Sequence, residues 1–282
     1  SVLAAPDGKI AVMTFVNFHL YRLFPAALVL FWVTDKERLW ILAGCLLVSI
    51  FFNNLIAIWQ AFKATALMNA RFGGVIGLMA QAGLLSAAVP LLALVMMRRG
   101  EGRWVPLGPV MMVTAVIALL LNGARGAWLA ASIAVTAVVV VAARHKMRCL
   151  AGLGLTFLLL GGVLTQVPAF QARLVTLTQP MYQSNSERLL MWQSAFHAFQ
   201  DHPLLGVGLG NYTHAYQTKY ISPEAKERQQ GHAHSNVMQM MGERGAVGAV
   251  AFCGMWLYFM VFSLRGWMRR KEPAYLAFLA IV

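Results

Sequence analysis

The sequence predicts an all-α fold: a polytopic transmembrane helix bundle with one large polar loop containing amphipathic helices. Two observations lead there. Of 282 residues, 59% are hydrophobic and 12% are charged, with a mean hydropathy of +0.64, whereas soluble globular domains carry roughly 25% charged residues. The apolar runs also reach the roughly 20 residues that a helix needs to cross a bilayer. They are continuous rather than alternating, which argues against a membrane β-barrel.

In chain order the candidate spans are 10–33, 39–62, 73–97, 106–121, 126–143, 149–167 and 245–264, with another beginning near 274. Asn17, His19 and Arg22 interrupt the first. The chain opens on Ser1, with no cleavable signal-peptide pattern, and stops in "AYLAFLAIV", an apolar run only just begun. This predicts a piece of a longer protein. The domain reading is a bundle of about six spans over 1–167, a polar loop over 168–244, and a span with the start of the next over 245–282.

The net charge of +13 would suggest nucleic acid in a soluble protein. In a membrane protein it reads instead as basic loops facing anionic membrane lipids, with no nucleic acid partner. Four loops hold 12 of the 23 basic residues: Lys36 and Arg38; Arg98, Arg99 and Arg103; Arg144, Lys146 and Arg148; Arg265, Arg269, Arg270 and Lys271. Alternating the spans puts all four on one side, which the positive-inside rule makes cytoplasmic. The opposite side receives Arg71, the tight turn "NGARGAW" with Arg125, and the whole of 168–244. Cys45, Cys149 and Cys253 lie in or beside apolar runs, so neither a disulfide framework nor a Cys-based metal site is expected.

A loop of this length is functional or disordered. It is not low-complexity: it contains Trp192 with several Phe and Tyr, and carries a helix signal, "SNSERLLMWQSAFHAFQDHP". Ser184 and Glu187 fit a capping box. Leu189, Trp192, Phe196 and Phe199 recur at helical spacing, and Pro203 ends the run. The amphipathic helix would rest on the membrane surface or on the bundle. In "GVGLGNY", Gly206, Gly208 and Gly210 lack the Gly-Lys-Ser/Thr and the βαβ setting of a nucleotide loop. Next comes "GHAHSNVMQMMGERGAVGAV". Residues 245–264 are free of charge and suffice for one span, so 234–244 reads as a short interfacial helix with its bend at Gly245.

Two chemistries fit this outer face. Arg71, Arg125, Arg188 and Arg244 collect on the side that the positive-inside rule depletes, and the guanidinium fork matches phosphate oxygens bidentately. A snorkelling helix-end anchor is the plainer reading of Arg125. His234 stands at the start of the interfacial helix, where the helix dipole disfavours imidazolium; a neutral imidazole suits a general base, and a structural or capping histidine is the alternative. His197, His202, His214, His232 and His234 have no Asp or Glu at ligand spacing, so no metal is assigned.

Through "NGARGAWLA", "SERLLMWQSAFHAFQDHPLLGVGLGNY" and "HSNVMQMMGERGAVG", in that order over residues 122–248, the chain resembles the O-antigen ligase and polymerase superfamily of bacterial cell-envelope glycosyltransferases. His234, Ser235, Gly245 and Gly248 match the ligase pattern of His, then Asn/Ser/Gln, nine residues and Gly-x-x-Gly. An Arg-x-x-x-Leu signature of ligase loops matches Arg173 to Leu177, whereas Arg188 is followed four residues on by Trp192, so both arginines are candidates. The resemblance implies a GT-C-like membrane fold in the bacterial inner membrane with the site facing the periplasm. It implies metal-independent, inverting transfer from an undecaprenyl-pyrophosphate-linked O-antigen donor to a hydroxyl of a lipid A-core acceptor, with no cofactor. His234 would be the base, and Arg125, Arg188, Arg71 and Arg173 would hold the pyrophosphate. An O-antigen polymerase and a protein O-oligosaccharyltransferase are the nearest alternatives. A lipid-linked glycan transporter is more distant, since it would need midplane charges and paired repeats that the chain does not display.

Overall fold

The computed structural model describes residues 5–17, 24, 27, 29, 31–32, 34–64, 71–97, 107–166, 171, 183–226, 228–229, 231–272, 275 and 279. Among these, all regular structure is helical: α1 (Gly8–Phe15), α2 (Lys36–Lys63), α3 (Leu78–Met97), α4 (Gly108–Asn122), α5 (Arg125–Ala142), α6 (Lys146–Leu164), α7 (Gln183–Asp201), the single turn α8 (Tyr212–Ala215) and α9 (Asn236–Arg270). A π-helical turn, Tyr216–Tyr220, continues α8. The protein is a polytopic helical membrane bundle. Ile41–Lys63, Leu78–Met97, Arg125–Ala142 and Asn236–Arg270 are long and apolar enough to cross a membrane. Helix α4, with 15 residues, rises about 22 Å, short of the roughly 30 Å hydrocarbon core. Phe62, Ile133, Leu158 and Val250 are exposed, as lipid-facing side chains are.

The chain divides into two compact units: Ser1–Asp35 with Gln179–Tyr258, and Lys36–Thr178 with Phe259–Val282. In the second unit α3 packs on α4 and α5, α2 on α4, and α5 on α6. The core mixes Ile50, Leu85, Val89, Leu92, Met111 and Leu119 with Ala88, Ala115, Ala118 and Ala131. Small residues let helices approach closely where lipid supplies no hydrophobic drive for association. The buried Pro90 sits within α3, a position membrane helices tolerate when neighbours satisfy the freed backbone.

The span expected over 73–97 starts later, at Leu78. Residues 71–77 instead form a loop held by polar side chains of α2: Asn53 Oδ1 accepts the Val75 N–H at 2.9 Å, and Gln60 Oε1 accepts the Gly74 N–H at 3.2 Å. Backbone donors satisfied by side chains have no need of a helix. The first candidate span, 10–33, lies partly outside the described residues; α1 at its start is capped by Asp7, whose Oδ1 accepts the Ile10 N–H. Cys45, Cys149 and Cys253 are free thiols.

The first unit is built on α7. Its buried face is Glu187, Met191, Ser194, Ala195 and Ala198, packed with Val207, Tyr212, Tyr216 and Ala233. The apolar stripe that periodicity singles out is less buried than this face. Leu189 and Phe196 are exposed, and Trp192 and Phe199 are half-buried. Small residues win the packed face because Gly242 of α9 comes against Ala195: a Cβ there would lie 3.0 Å from the Ala195 carbonyl oxygen. The capping-box expectation also changes. Ser184 lies inside α7, and the buried Glu187 accepts the Lys226 N–H at 3.0 Å, tying the distal loop to the helix.

Candidate active site

In the first unit, residues 202–211 and the head of α9 are joined backbone to backbone. Val207 N–H donates to Gly242 O and Gly208 N–H to Glu243 O, both at 3.0 Å. On the far side of the bend, Ala246 N–H donates to Pro203 O at 2.8 Å. These bonds exist because α9 breaks its ladder at Gly245, whose φ of 66° and ψ of −163° only glycine adopts freely. The bend expected there is present, and its neighbours explain it: a Cβ on Gly245 would sit 2.4 Å from the Leu204 carbonyl carbon. A Cβ on Gly206 would meet the Glu243 carbonyl carbon equally closely, and one on Gly208 would meet Ala5 Cα at 2.5 Å. The loop glycines thus serve close packing. Gly248 makes room for Arg244, whose Cβ a substituent there would overlap.

The same bend sets the start of α9. Ser235 Oγ accepts the Met238 N–H at 3.4 Å, the geometry of an N-cap. That explains an Asn/Ser-type residue directly after the histidine. His234 precedes the cap in a left-handed conformation, φ 53°. For a non-glycine residue this costs free energy and persists only where surrounding bonds over-determine it. Two such bonds flank it: His234 N–H donates to His232 Nδ1 at 2.7 Å, and Ala233 N–H donates to Gln239 Oε1 at 2.9 Å. The imidazole of His234 is left exposed.

Partial burial, the positive charge of Arg188 and His232 together hold the His234 pKa below the ordinary 6.5. Desolvation is the largest of these causes, followed by the charge of Arg188 and then His232. Arg188 is exposed on α7 and acts electrostatically on His234. His234, Ser235, Arg188, Gly245 and Gly248 all belong to the first unit.

Arg71 and Arg125 belong to the second unit and share one turn there. Arg71 Nε donates to the Asn122 carbonyl at 2.8 Å. Asn122 ends α4, Gly123 turns left-handed at φ 67°, and Arg125 opens α5. The Asn122 amide is fully buried and donates to Leu78 O and Gln81 Oε1. Arg173 lies outside the described residues. Among the described residues, no group of three or more His, Cys, Asp or Glu side chains comes together. Sequence reasoning missed Gln239 and Glu243, which anchor the His234 turn; both are polar residues beside an apolar span, and that was the available signal.

The sequence profile of the O-antigen ligase family matches residues 110–253, about half of the chain. The chain belongs to the O-antigen ligase family. The match takes in Arg125, α7, the glycine loop and the His234 turn through Gly248, and a GT-C-like bundle is compatible with the family. No curated protein matches the chain.

Proposed function

We propose that the protein is an O-antigen ligase of the bacterial inner membrane. It transfers O-antigen polysaccharide from undecaprenyl pyrophosphate to a hydroxyl of the lipid A-core oligosaccharide, at a site in the 168–244 loop facing the periplasm. The observation that carries the mechanism is His234: an exposed imidazole on an over-determined left-handed turn, kept neutral beside the charge of Arg188.

The acceptor hydroxyl oxygen attacks the anomeric carbon from the face opposite the pyrophosphate, which inverts the centre. The new glycosidic C–O bond forms as the C–O bond to pyrophosphate breaks, and its electron pair leaves with undecaprenyl pyrophosphate. His234 takes the hydroxyl proton during attack and releases it to solvent afterwards. Arg188 stabilises the charge developing on the leaving group, with Arg125, Arg71 and Arg173 assigned to the carrier phosphates. Guanidinium groups in that role require no metal, so chelator leaves the rate unchanged.

The lipopolysaccharide of a deletion strain tests the reading. Loss of all O-antigen from lipid A, with carrier-linked polymer accumulating, is the expected result. A core bearing a single repeat would identify a polymerase instead, and an unchanged gel with unglycosylated pilin would identify a protein transferase.

A further inference from the structure

We infer that Gln239 and Glu243 form a directional hydrogen-bond relay that positions His234, an inference that rests on His234 being the base. The relay consists of two side chains, each over nine-tenths buried, one turn apart on α9. Gln239 Oε1 accepts the N–H of Ala233, the residue before His234, at 2.9 Å. Gln239 Nε2 donates to Glu243 Oε2. Glu243 Oε1 accepts the Gly210 N–H at 2.7 Å. A continuous line of bonds therefore runs from the glycine loop to the backbone of the catalytic turn.

The direction of the line follows from which groups donate. A carboxylate only accepts, so the Gln239 amide must turn its NH₂ toward Glu243 and its oxygen toward Ala233. Both backbone N–H groups at the ends are thereby satisfied. Ala233 is fully buried, and an orphaned N–H there would be costly. The left-handed φ of His234 needs outside restraint, and the fixed Ala233 N–H supplies it from one side as His232 does from the other. Gln239 and Glu243 are positioning residues: neither faces the reacting atoms.

The relay has one other polarity that satisfies every group, and this gives a test. Glu243→Gln keeps an acceptor for Gly210 but then presents NH₂ toward Gln239, whose amide must flip and set a donor against the Ala233 N–H. Gln239→Glu sets two carboxylates against each other. The double variant Gln239→Glu with Glu243→Gln restores all of the bonds in reverse. The full chain in detergent is assayed with undecaprenyl-pyrophosphate-linked O-antigen and lipid A-core. Each single variant is expected to lower kcat at least tenfold with donor KM unchanged, and the double variant to recover to within about threefold of wild type.

Gln239→Met, close in volume but unable to bond, keeps the test decisive if a single variant fails to fold; it should lose kcat like the others. A double variant no better than the singles, or singles with wild-type kcat, would overturn the relay. His234→Ala run alongside separates the two ideas: if it transfers at the wild-type rate, the base assignment itself is wrong, whatever the relay variants do.

Discussion

The backbone N–H of His234 donates to Nδ1 of His232 at 2.7 Å, so the first histidine of the His-x-His pair acts as a hydrogen-bond acceptor for the second. The rings meet edge to face, with centroids 5.7 Å apart. The two histidines therefore have separate tasks, one holding the turn and one presenting its ring. His234→Ala is expected to reduce transfer by about 10²–10⁴-fold, the range of a lost general base. His232→Ala removes a single exposed hydrogen bond, worth about 0.5–1.5 kcal/mol, and should cost roughly two- to tenfold. Initial rates of purified variants check this; equal losses would contradict the division of labour.

The transfer rate should fall on the acid side with an apparent pKa below 6.5, because burial, Arg188 and His232 all lower that of His234. Below this value the imidazole is protonated and cannot act as a base. Folding stability follows the same sign: the unfolded histidine takes a proton first, so this residue's contribution is full above about 6.5 and lost as pH falls through the folded value. Arg188→Gln removes one of the three causes and should move the acid limb upward. A pH–rate profile of kcat/KM measures it, and a downward shift would remove Arg188 from the site.

Arg125→Ala and Arg188→Ala should each strongly reduce transfer, with lysine a poor substitute because it lacks the bidentate fork. Arg71→Ala should in addition lower thermal stability, since Arg71 Nε ties the 71–77 loop to the Asn122 carbonyl. Arg173 is the reserve candidate. Near-normal transfer by both of the first two alanine variants, properly inserted, would place the pyrophosphate clamp elsewhere.

Gly245→Ala combines a positive φ with a Cβ 2.4 Å from the Leu204 carbonyl carbon and should lower both folded yield and transfer. Gly254→Ala, on the same helix with nothing within 4 Å of its added Cβ, should be neutral. Detergent-extracted yield and melting temperature of the pair test whether the bend is required.

In a chain with Cys45, Cys149 and Cys253 replaced, Gln217→Cys and Glu224→Cys should react with a membrane-impermeant thiol reagent from outside, whereas Arg103→Cys should not. Reversed labelling would overturn the topology and the periplasmic mechanism together.

The sequence alone determined the class of fold and most of the helices, because a span must satisfy its backbone internally and cover its surface with apolar side chains, and both demands are local. Its resemblance to the ligase pattern also marked His234, Ser235, Gly245 and Gly248. What it left open were choices between partners distant along the chain. The start of α3 depends on Asn53 and Gln60 of α2 capturing the 71–77 backbone. The inward face of α7 depends on the close approach of Gly242 to Ala195, which favours alanine over the aromatic stripe that periodicity singles out. Only the tertiary structure decided that Gln239 and Glu243 serve the histidine turn, since a buried polar side chain declares its purpose only when its hydrogen-bond partner is known, and the partners here, Ala233 and Gly210, lie on separate segments.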